Sequence, residues 1–212
     1  MSESISENSS DNGAGSQDQS QASSTPIIPT TSAAYARKRI DGRHTLFELP
    51  LTGKINLRAN PEDKALAKAL KSVTGCDLPL EVNTLERSDT TTVYCLGPDE
   101  WQIQCLLDQR QALQEVLDTE LGDMHHSLTD VSDYYAMLRL EGPEIANVLS
   151  RGCPQDLRYE VFSIDHCTQT RFGHASVLID RVERSSFDIQ IRWSYAEYVW
   201  DYLASAMSVV DL

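Results

Sequence analysis

The chain is short of basic residues. It has 18 lysines and arginines against 32 aspartates and glutamates, which gives a formal net charge of −14 over 212 residues. A protein that binds nucleic acid through phosphates needs a basic surface, so this balance argues against that class of partner. One basic cluster exists, Arg37-Lys38-Arg39 with Arg43, and only Tyr35 stands near it as an aromatic residue. One ring is not a stacking platform, so a solvated linker or a contact to an acidic partner explains the cluster better.

Long apolar runs are missing too. No segment near the start combines basic residues with the apolar middle of a secretory signal, and no run is long enough to span a bilayer. We therefore expect a soluble, cytoplasmic protein that binds neither membrane nor nucleic acid. Five cysteines, an odd number in a chain without an export signal, indicate reduced thiols.

Composition divides the chain into three parts. Residues 1–36 contain ten serines, four acidic residues and no lysine or arginine. Such a segment has too little apolar surface to offset the entropy of ordering, so it is predicted to be a disordered, acidic, Ser/Gln-rich tail. Residues 37–50 are predicted to be a linker that carries the basic cluster. Residues 51–212 are enough for a single α+β domain with its own core.

A hairpin is predicted at the centre of the sequence. The apolar and β-branched run 91–96 is suited to a strand, and the alternating residues from Trp101 to Cys105 form a second one. Between them, Pro98 and Asp99 are typical corner residues of a turn. A turn centred there places Cys95 opposite Gln102, which puts Cys95 and Cys105 too far apart for a disulfide. Both are interpreted as small buried residues.

The remaining elements alternate between strands and helices. A strand is predicted over 55–58, followed by a helix with Asn60 as N-cap, Pro61 at its first position and Gly75 as C-cap. A second helix is predicted from Asp108 to Gly122, and a third from 142 to 152. Each helix has an apolar stripe that is predicted to be buried: Ala65, Leu66, Ala69, Leu70 and Val73 in the first, Leu113, Val116, Leu117 and Leu121 in the second, and Ile145, Val148 and Leu149 in the third. Strands are predicted over 127–132, 134–140, 171–182 and 187–193. No internal repeat is evident. The pattern predicts an α+β fold in which helices cover a mostly antiparallel sheet.

Motifs for cofactors and metals are lacking. No strand is followed by Gly-x-Gly-x-x-Gly, and no Gly-rich loop carries a phosphate-binding lysine. The spacing of the residues that offer metal ligands matches no paired-ligand pattern, neither at His125-His126 nor in the later set. We therefore predict no cofactor-binding and no metal-binding residue in this chain. The later set is Cys153, His166, Cys167 and His174.

Two carboxylates flank a predicted corner between strands. Asp130 and Asp133 surround Val131-Ser132, and paired carboxylates perform acid–base chemistry when one of them is desolvated. A turn in which the aspartates bond nearby backbone is the simpler interpretation. No catalytic residue is predicted.

The last helix has an unusually wide apolar surface. It is predicted to begin at Ser194, which forms a capping box with Glu197. One stripe runs from Tyr195 to Ala206, and a second side is formed by Ala196, Trp200 and Met207. A helix packed on one sheet needs a narrower stripe. The second side is therefore either a candidate interface with a partner chain or part of a deeply buried helix.

Five short segments in this order resemble the gamma subunit of heterotetrameric sarcosine oxidase. That family is related to the folate-binding aminomethyltransferase of the glycine cleavage system, and the resemblance runs from about Leu51 to Met207. It implies a fold like the N-terminal part of those aminomethyltransferases. The segments are Leu96-Gly97-Pro98-Asp99-Glu100-Trp101, Asp130-Val131-Ser132-Asp133, Leu140-Glu141-Gly142-Pro143, Gly152-Cys153-Pro154-Gln155-Asp156-Leu157 and Arg192-Trp193-Ser194-Tyr195-Ala196-Glu197-Tyr198.

The resemblance implies a function in sarcosine catabolism. It implies a structural, non-catalytic subunit of an oxidoreductase that oxidatively demethylates sarcosine, with alpha, beta and delta subunits as partners. FAD, FMN, NAD, zinc and tetrahydrofolate are implied for the holoenzyme and not for this chain. Two alternatives stay open: the equivalent subunit of an enzyme for another N-methylated amino acid, such as N-methylglutamate, or a folate-binding aminomethyltransferase-like protein.

Overall fold

The computed structural model describes residues 39–210. Within them the chain forms eleven strands and four α-helices in the order of an α+β protein. No helix in this range is long and apolar enough to cross a bilayer. The elements are β1 (Arg39–Ile40), β2 (Thr45–Glu48), β3 (Thr52–Ala59), α1 (Lys64–Thr74), β4 (Leu85–Arg87), β5 (Thr92–Gly97), β6 (Glu100–Leu106), α2 (Arg110–Leu121), β7 (His126–Asp130), β8 (Tyr135–Glu141), α3 (Ile145–Leu149), β9 (Cys167–Phe172), β10 (Ala175–Glu183), β11 (Ser186–Arg192) and α4 (Ala196–Val210).

The strands form two sheets. The first sheet has the order β4-β5-β6-β3-β7, and the second has the order β1-β2-β8-β11-β10-β9. Neighbouring strands in both sheets pair antiparallel. The predicted α+β class with a mostly antiparallel sheet is therefore confirmed, with two sheets in place of one.

The two sheets have the same topology. In the first, β3 is followed by α1, by the meander β4-β5-β6 and by α2; in the second, β8 is followed by α3, by β9-β10-β11 and by α4. The meander lies on the same side of the leading strand in both sheets. On the other side, β7 pairs with β3, whereas β2 from the start of the described chain pairs with β8. The structure thus contains a repeat that the sequence did not reveal.

Each sheet buries one face under its own pair of helices. On β6, Trp101 and Ile103 pack into a core with residues of α1 and α2, including Leu66 and Leu117. The second sheet forms an equivalent core with α3 and α4. Because side chains alternate along a strand, the polar residues between these apolar positions lie on the opposite faces. Contacts between β5 and β10 and between β6 and β11 show that these opposite faces meet.

The prediction that residues 37–50 form a linker is wrong for the part that the structure describes, which begins at residue 39. β1 and β2 occupy this segment, and β2 joins the second sheet by pairing Leu46 with Leu140. Leu46 is fully buried, which explains why the segment is held in the core. Of the basic cluster, Arg39 forms an ion pair with Asp41 and Arg43 forms one with Glu144. Arg37, Lys38 and the predicted tail 1–36 lie outside the described residues.

The start of α1 also differs from the prediction. Asp63 is the N-cap and accepts a hydrogen bond from the backbone N–H of Ala65 at 2.9 Å. Asn60 lies one turn earlier, where its side chain accepts a bond from the backbone N–H of Glu62. Asn60 was predicted as the cap because Pro61, a residue typical of the first helical position, follows it directly. The C-cap prediction is confirmed, since Gly75 adopts φ 74°.

The central hairpin forms, but its register is shifted by one residue. Cys95 pairs with Trp101 and not with Gln102, because a bulge between Cys95 and Gly97 inserts one residue into β5. Cys95 and Cys105 are nevertheless buried and free of disulfides, as predicted.

The predicted strand 171–182 is two strands. β9 ends at Phe172 and β10 begins at Ala175, with a tight turn through Gly173 between them. Gly173 has φ 57°, and a Cβ atom there would lie 2.2 Å from the hydroxyl oxygen of Tyr198. Only glycine fits this turn without strain.

The second and third helices lie close to their predicted positions. A 3₁₀ turn over Leu107–Gln109 precedes α2, whose Leu117 and Leu121 are buried. Val116 was predicted to lie on the buried stripe but is 51% exposed. In α3, Ile145, Val148 and Leu149 are buried as predicted.

Candidate functional site

A polar layer lies between the two sheets, and we call it the inter-sheet layer. Its side chains come from the faces of β4, β5, β6, β8, β10 and β11 that point away from the helices. Polar groups buried in such a place need partners, because an unpaired buried donor or acceptor is destabilising by about 1–3 kcal/mol. The layer is formed by Arg87, Tyr94, Gln102, Arg139, Asp180, Asp188 and Gln190.

A reciprocal amide pair lies at the centre of this layer. The side-chain N–H of Gln102 donates to the oxygen of Gln190 at 2.8 Å, and that of Gln190 donates to the oxygen of Gln102 at 2.9 Å. Both side chains are almost completely buried. They stand on β6 and β11, which are equivalent strands of the two units. The pair therefore joins the two halves of the repeat.

Two ion pairs lie on one side of the amide pair. Arg87 donates to Asp180 at 2.5 Å, and the Tyr94 hydroxyl donates to the same carboxylate oxygen at 3.1 Å. Arg139 holds Asp188 through two bonds of 2.6 and 2.8 Å. Asp180 and Asp188 face each other across β10 and β11. Each of these buried carboxylates thus has its own guanidinium partner.

Burial controls the protonation of these groups. It raises the pKa of Asp180 to about 6, with Arg87 opposing the rise and the neighbouring Asp188 adding to it. Burial likewise raises the pKa of Tyr94 well above its usual value, so the phenol stays a hydrogen-bond donor. The arrangement holds charge and protons in fixed positions and connects the sheets.

One further buried charge lies on strand β3 of the first sheet. Lys54 on β3 is fully buried, and its ammonium donates to the hydroxyl of Thr52 at 2.6 Å. Burial lowers the pKa of Lys54 to about 8. The Thr52 hydroxyl in turn contacts the sulfur of Met137 on β8, at 3.6 Å.

The predicted interface side chains are part of the domain's own core. Ala196, Trp200 and Met207 are at most 3% exposed and pack in the core of the second sheet. This corrects their assignment to a partner surface. The buried arc of α4 is wide because the helix packs on α3 as well as on the sheet.

The start of α4 and its tyrosines also differ from expectation. A 3₁₀ turn over Trp193–Tyr195 precedes the helix, so Ser194 lies inside a helical turn and is not its N-cap. Tyr195 is 42% exposed and does not belong to the buried stripe. Tyr198 accepts a bond from the backbone N–H of His174, and Tyr202 donates to the carbonyl of Arg151. These phenols attach α4 to neighbouring loops.

The residues considered as metal ligands have separate neighbours. The Cys153 thiol lies 3.9 Å from the hydroxyl of Thr170, and the Cys167 thiol lies 3.6 Å from the carbonyl of Thr84. The ring of His166 is bonded to Ser163, and the backbone N–H of His174 is bonded to Tyr198. His126 is bonded to Asp118 and to the carbonyl of Met124. Across residues 39–210, no three potential ligands come together as a metal-binding group.

The Asp130 corner is a turn, as predicted. Asp130 accepts hydrogen bonds from the backbone N–H and the hydroxyl of Ser132, at 2.9 and 2.5 Å. Burial opposes ionisation of Asp130, but the bonds from Ser132 and Arg110 outweigh it and lower the pKa. Asp133 is exposed in the following 3₁₀ turn. The two carboxylates do not share a site.

Sequence reasoning missed the inter-sheet layer. Gln102, Asp180, Asp188 and Gln190 occupy alternate positions on strands, which is also the pattern of a solvent-facing side. The sequence does contain a signal for this layer: polar residues at alternate strand positions recur in two strand meanders about 88 residues apart.

The fold resembles that of a known protein. Aminomethyltransferase T of the glycine cleavage system from Bartonella henselae superposes with a TM-score of 0.55 at 14% identity, so the two proteins share a fold. That match covers 74% of this chain and 44% of the other.

Residue-level similarity gives the family. The model of the sarcosine oxidase gamma subunit family matches residues 58–209. Sarcosine oxidase subunit gamma of Corynebacterium sp. (strain U-96) is 34% identical over 165 residues, which are 77% of this chain and 79% of the relative. A chain of the heterotetrameric sarcosine oxidase from Corynebacterium sp. U-96, solved with pyrrole 2-carboxylate, superposes with a TM-score of 0.74 at 32% identity, covering 84% of this chain and 91% of that one. The chain belongs to the sarcosine oxidase gamma subunit family.

Proposed function

We propose that this chain is the structural, non-catalytic gamma subunit of a heterotetrameric enzyme that oxidatively demethylates sarcosine. The family assignment supports the assembly, because the solved relative is a chain of a heterotetrameric sarcosine oxidase. In this proposal the partners are alpha, beta and delta subunits in the cytoplasm.

The pairing within the inter-sheet layer supports a structural role. Its two buried carboxylates are each bound by an arginine, and its two buried amides bind each other. A catalytic acid or base must reach a substrate, and a perturbed pKa can also arise in a structural ion-pair network. Asp180 has such a pKa, but it is only 2% exposed and bonded to both Arg87 and Tyr94. The layer connects two units and offers no free acid or base.

The division of cofactors follows from this proposal. The FAD, FMN, NAD, zinc and tetrahydrofolate of the holoenzyme bind to the other subunits, and the sarcosine pocket lies outside this chain. The gamma chain then contributes a rigid surface against which the larger subunits fold or dock.

Co-expression with and without this chain tests the proposal. The partner chains are produced alone, with the wild-type chain, with Trp200→Ala and with Val209→Ala. Trp200 is a core residue of α4, whereas Val209 on the same helix is 47% exposed and serves as the matched control. We expect a stable flavin-containing complex with the wild-type chain and with Val209→Ala, and a reduced yield without the chain or with Trp200→Ala. A fully active complex that forms without this chain would overturn the structural role.

A further inference from the structure

Two arginines stand on one transverse row of the second sheet. Arg171 on β9 pairs with Ser176 on β10, and Arg192 on β11 pairs with Tyr135 on β8. β10 and β11 pair Val177 with Ile191, so one residue further along this antiparallel register Ser176 lies opposite Arg192. The row Arg171–Ser176–Arg192–Tyr135 therefore runs across four strands. Residues opposite each other in a sheet share a face, so both arginines lie on the same side as Gln190.

This row lines the mouth of a cavity between the sheets. The cavity has a volume of about 450 Å³. Gln102 and Gln190, the central amide pair, lie on its lining, and Leu96 and Leu178 supply apolar wall. Most of the lining is polar, and the cavity lies at a boundary between two structural units, where small-molecule sites are often found. Such a lining suits a small polar ligand.

The two guanidiniums have no acidic partner in the part of the chain that the structure describes. Within residues 39–210, neither Arg171 nor Arg192 forms an ion pair, whereas Arg87 and Arg139 between the same sheets each hold a carboxylate. The central carbon of the Arg192 guanidinium lies 4.9 Å from the ring centroid of Tyr134. In a chain with a net charge of −14, two unpaired arginines on one cavity are a local concentration of positive charge.

We propose that this cavity binds a small molecule bearing carboxylate groups. Arginine binds carboxylates through two parallel hydrogen bonds, and such charge-assisted bonds are about twice as strong as neutral ones. Arg171 and Arg192 are separated by one intervening strand, which places their backbones roughly 10 Å apart. At that spacing their side chains reach the two ends of a short dicarboxylate or converge on one carboxylate. The Ser176 hydroxyl between them adds a neutral donor, and Leu96 and Leu178 contact the carbon skeleton.

Calorimetric titration of the full-length chain tests this site. The probes are succinate and glutarate, with uncharged succinamide as the control for carbon skeleton and inorganic phosphate as the control for charge. We expect saturable binding of at least one dicarboxylate, no binding of succinamide and weaker binding as salt increases. Arg171→Gln and Arg192→Gln should each weaken binding at least tenfold. Arg151→Gln, an exposed arginine outside this cavity, should leave the affinity unchanged.

The carboxylate site does not depend on the proposed structural function, and the titrations can refute the site without testing that function. Thermal melting of each variant establishes that it is folded, since both arginines are exposed. Absence of saturable binding, binding that survives both Arg→Gln changes, or phosphate binding as tight as that of the dicarboxylates would overturn the proposal. Loss of partner chains from the Arg171→Gln and Arg192→Gln complexes without any carboxylate binding would also overturn it and would assign the row to a protein interface.

Discussion

Replacing Gln190 by methionine should show how much the central amide pair contributes to the free energy of unfolding. The change removes two buried hydrogen bonds, of 2.8 and 2.9 Å, and leaves the amide of Gln102 buried without that partner. Removing one partner of a buried hydrogen-bonded pair costs the desolvation of the group left unsatisfied, which is about 1–3 kcal/mol. We therefore expect the free energy of unfolding to fall by about 1–3 kcal/mol.

The double variant Gln102→Met/Gln190→Met should be far less destabilised than the sum of the single changes. Two thioethers of similar length then face each other, and replacing both partners with apolar groups of similar shape is nearly neutral. The measurement is a double-mutant cycle from urea denaturation of the full-length chain. Two single changes of about 1–3 kcal/mol each and a nearly neutral double change give an expected coupling of at least about 2 kcal/mol. Gln155→Met is the matched control, because Gln155 is exposed in the loop after α3, outside the inter-sheet layer, and its replacement should change stability by less than about 0.5 kcal/mol. Additivity of the two single changes would refute the reasoning.

Three other substitutions probe the buried groups. Burial raises the pKa of Asp180 from 3.8 to about 6, so the folded state binds this proton more tightly than the unfolded state does. The stability of the wild-type chain should therefore fall relative to that of Asp180→Asn as the pH rises from 4 to 6. A stability difference in urea titrations that does not change with pH would contradict this. The pKa of Lys54 is lowered from 10.5 to about 8, so wild-type stability should rise relative to Lys54→Met between pH 8 and 10; parallel stability–pH curves would be inconsistent with it. Trp200→Ala should destabilise the lone chain by about 3–5 kcal/mol through the cavity it leaves; an unchanged unfolding midpoint in urea would show that Trp200 is not a core residue.

Helices with strong local signals were predictable from the sequence. The stripe of α1 and its stop at Gly75 depend on residues within one or two turns of each other. Gly75 is the C-cap as predicted, and Leu66, Ala69 and Leu70 of the stripe are buried, whereas Ala65 is exposed. The short α3 was identified for the same reason, since its buried residues and flanking glycines are adjacent.

Features that depend on distant pairing were not predictable. β2 lacks a clear alternation and is a strand because β8, about 90 residues later, lies beside it. The bulge near Gly97 moves the hairpin register by one residue without changing any propensity. The wide apolar arc of α4 was visible, but whether its second side meets α3 or another chain depends on tertiary packing.

The inter-sheet layer shows the same limit at the candidate site. Asp188 and Gln190 alternate with apolar residues, as residues of a half-solvated strand do. They are buried because an equivalent strand of the other unit covers them. Since the two units share topology more clearly than sequence, the repeat became visible only in the strand order.

We propose that this chain supports a sarcosine-oxidising complex without taking part in the chemistry. The most direct test is sarcosine turnover per bound flavin in complexes that contain Arg139→Gln or Asp188→Asn, compared with the wild-type complex. These changes break the pair held by bonds of 2.6 and 2.8 Å. The account predicts a lower yield of complex with turnover per flavin within about twofold of wild type. A fall in turnover of more than about tenfold, in complexes that assemble at full yield, would contradict it.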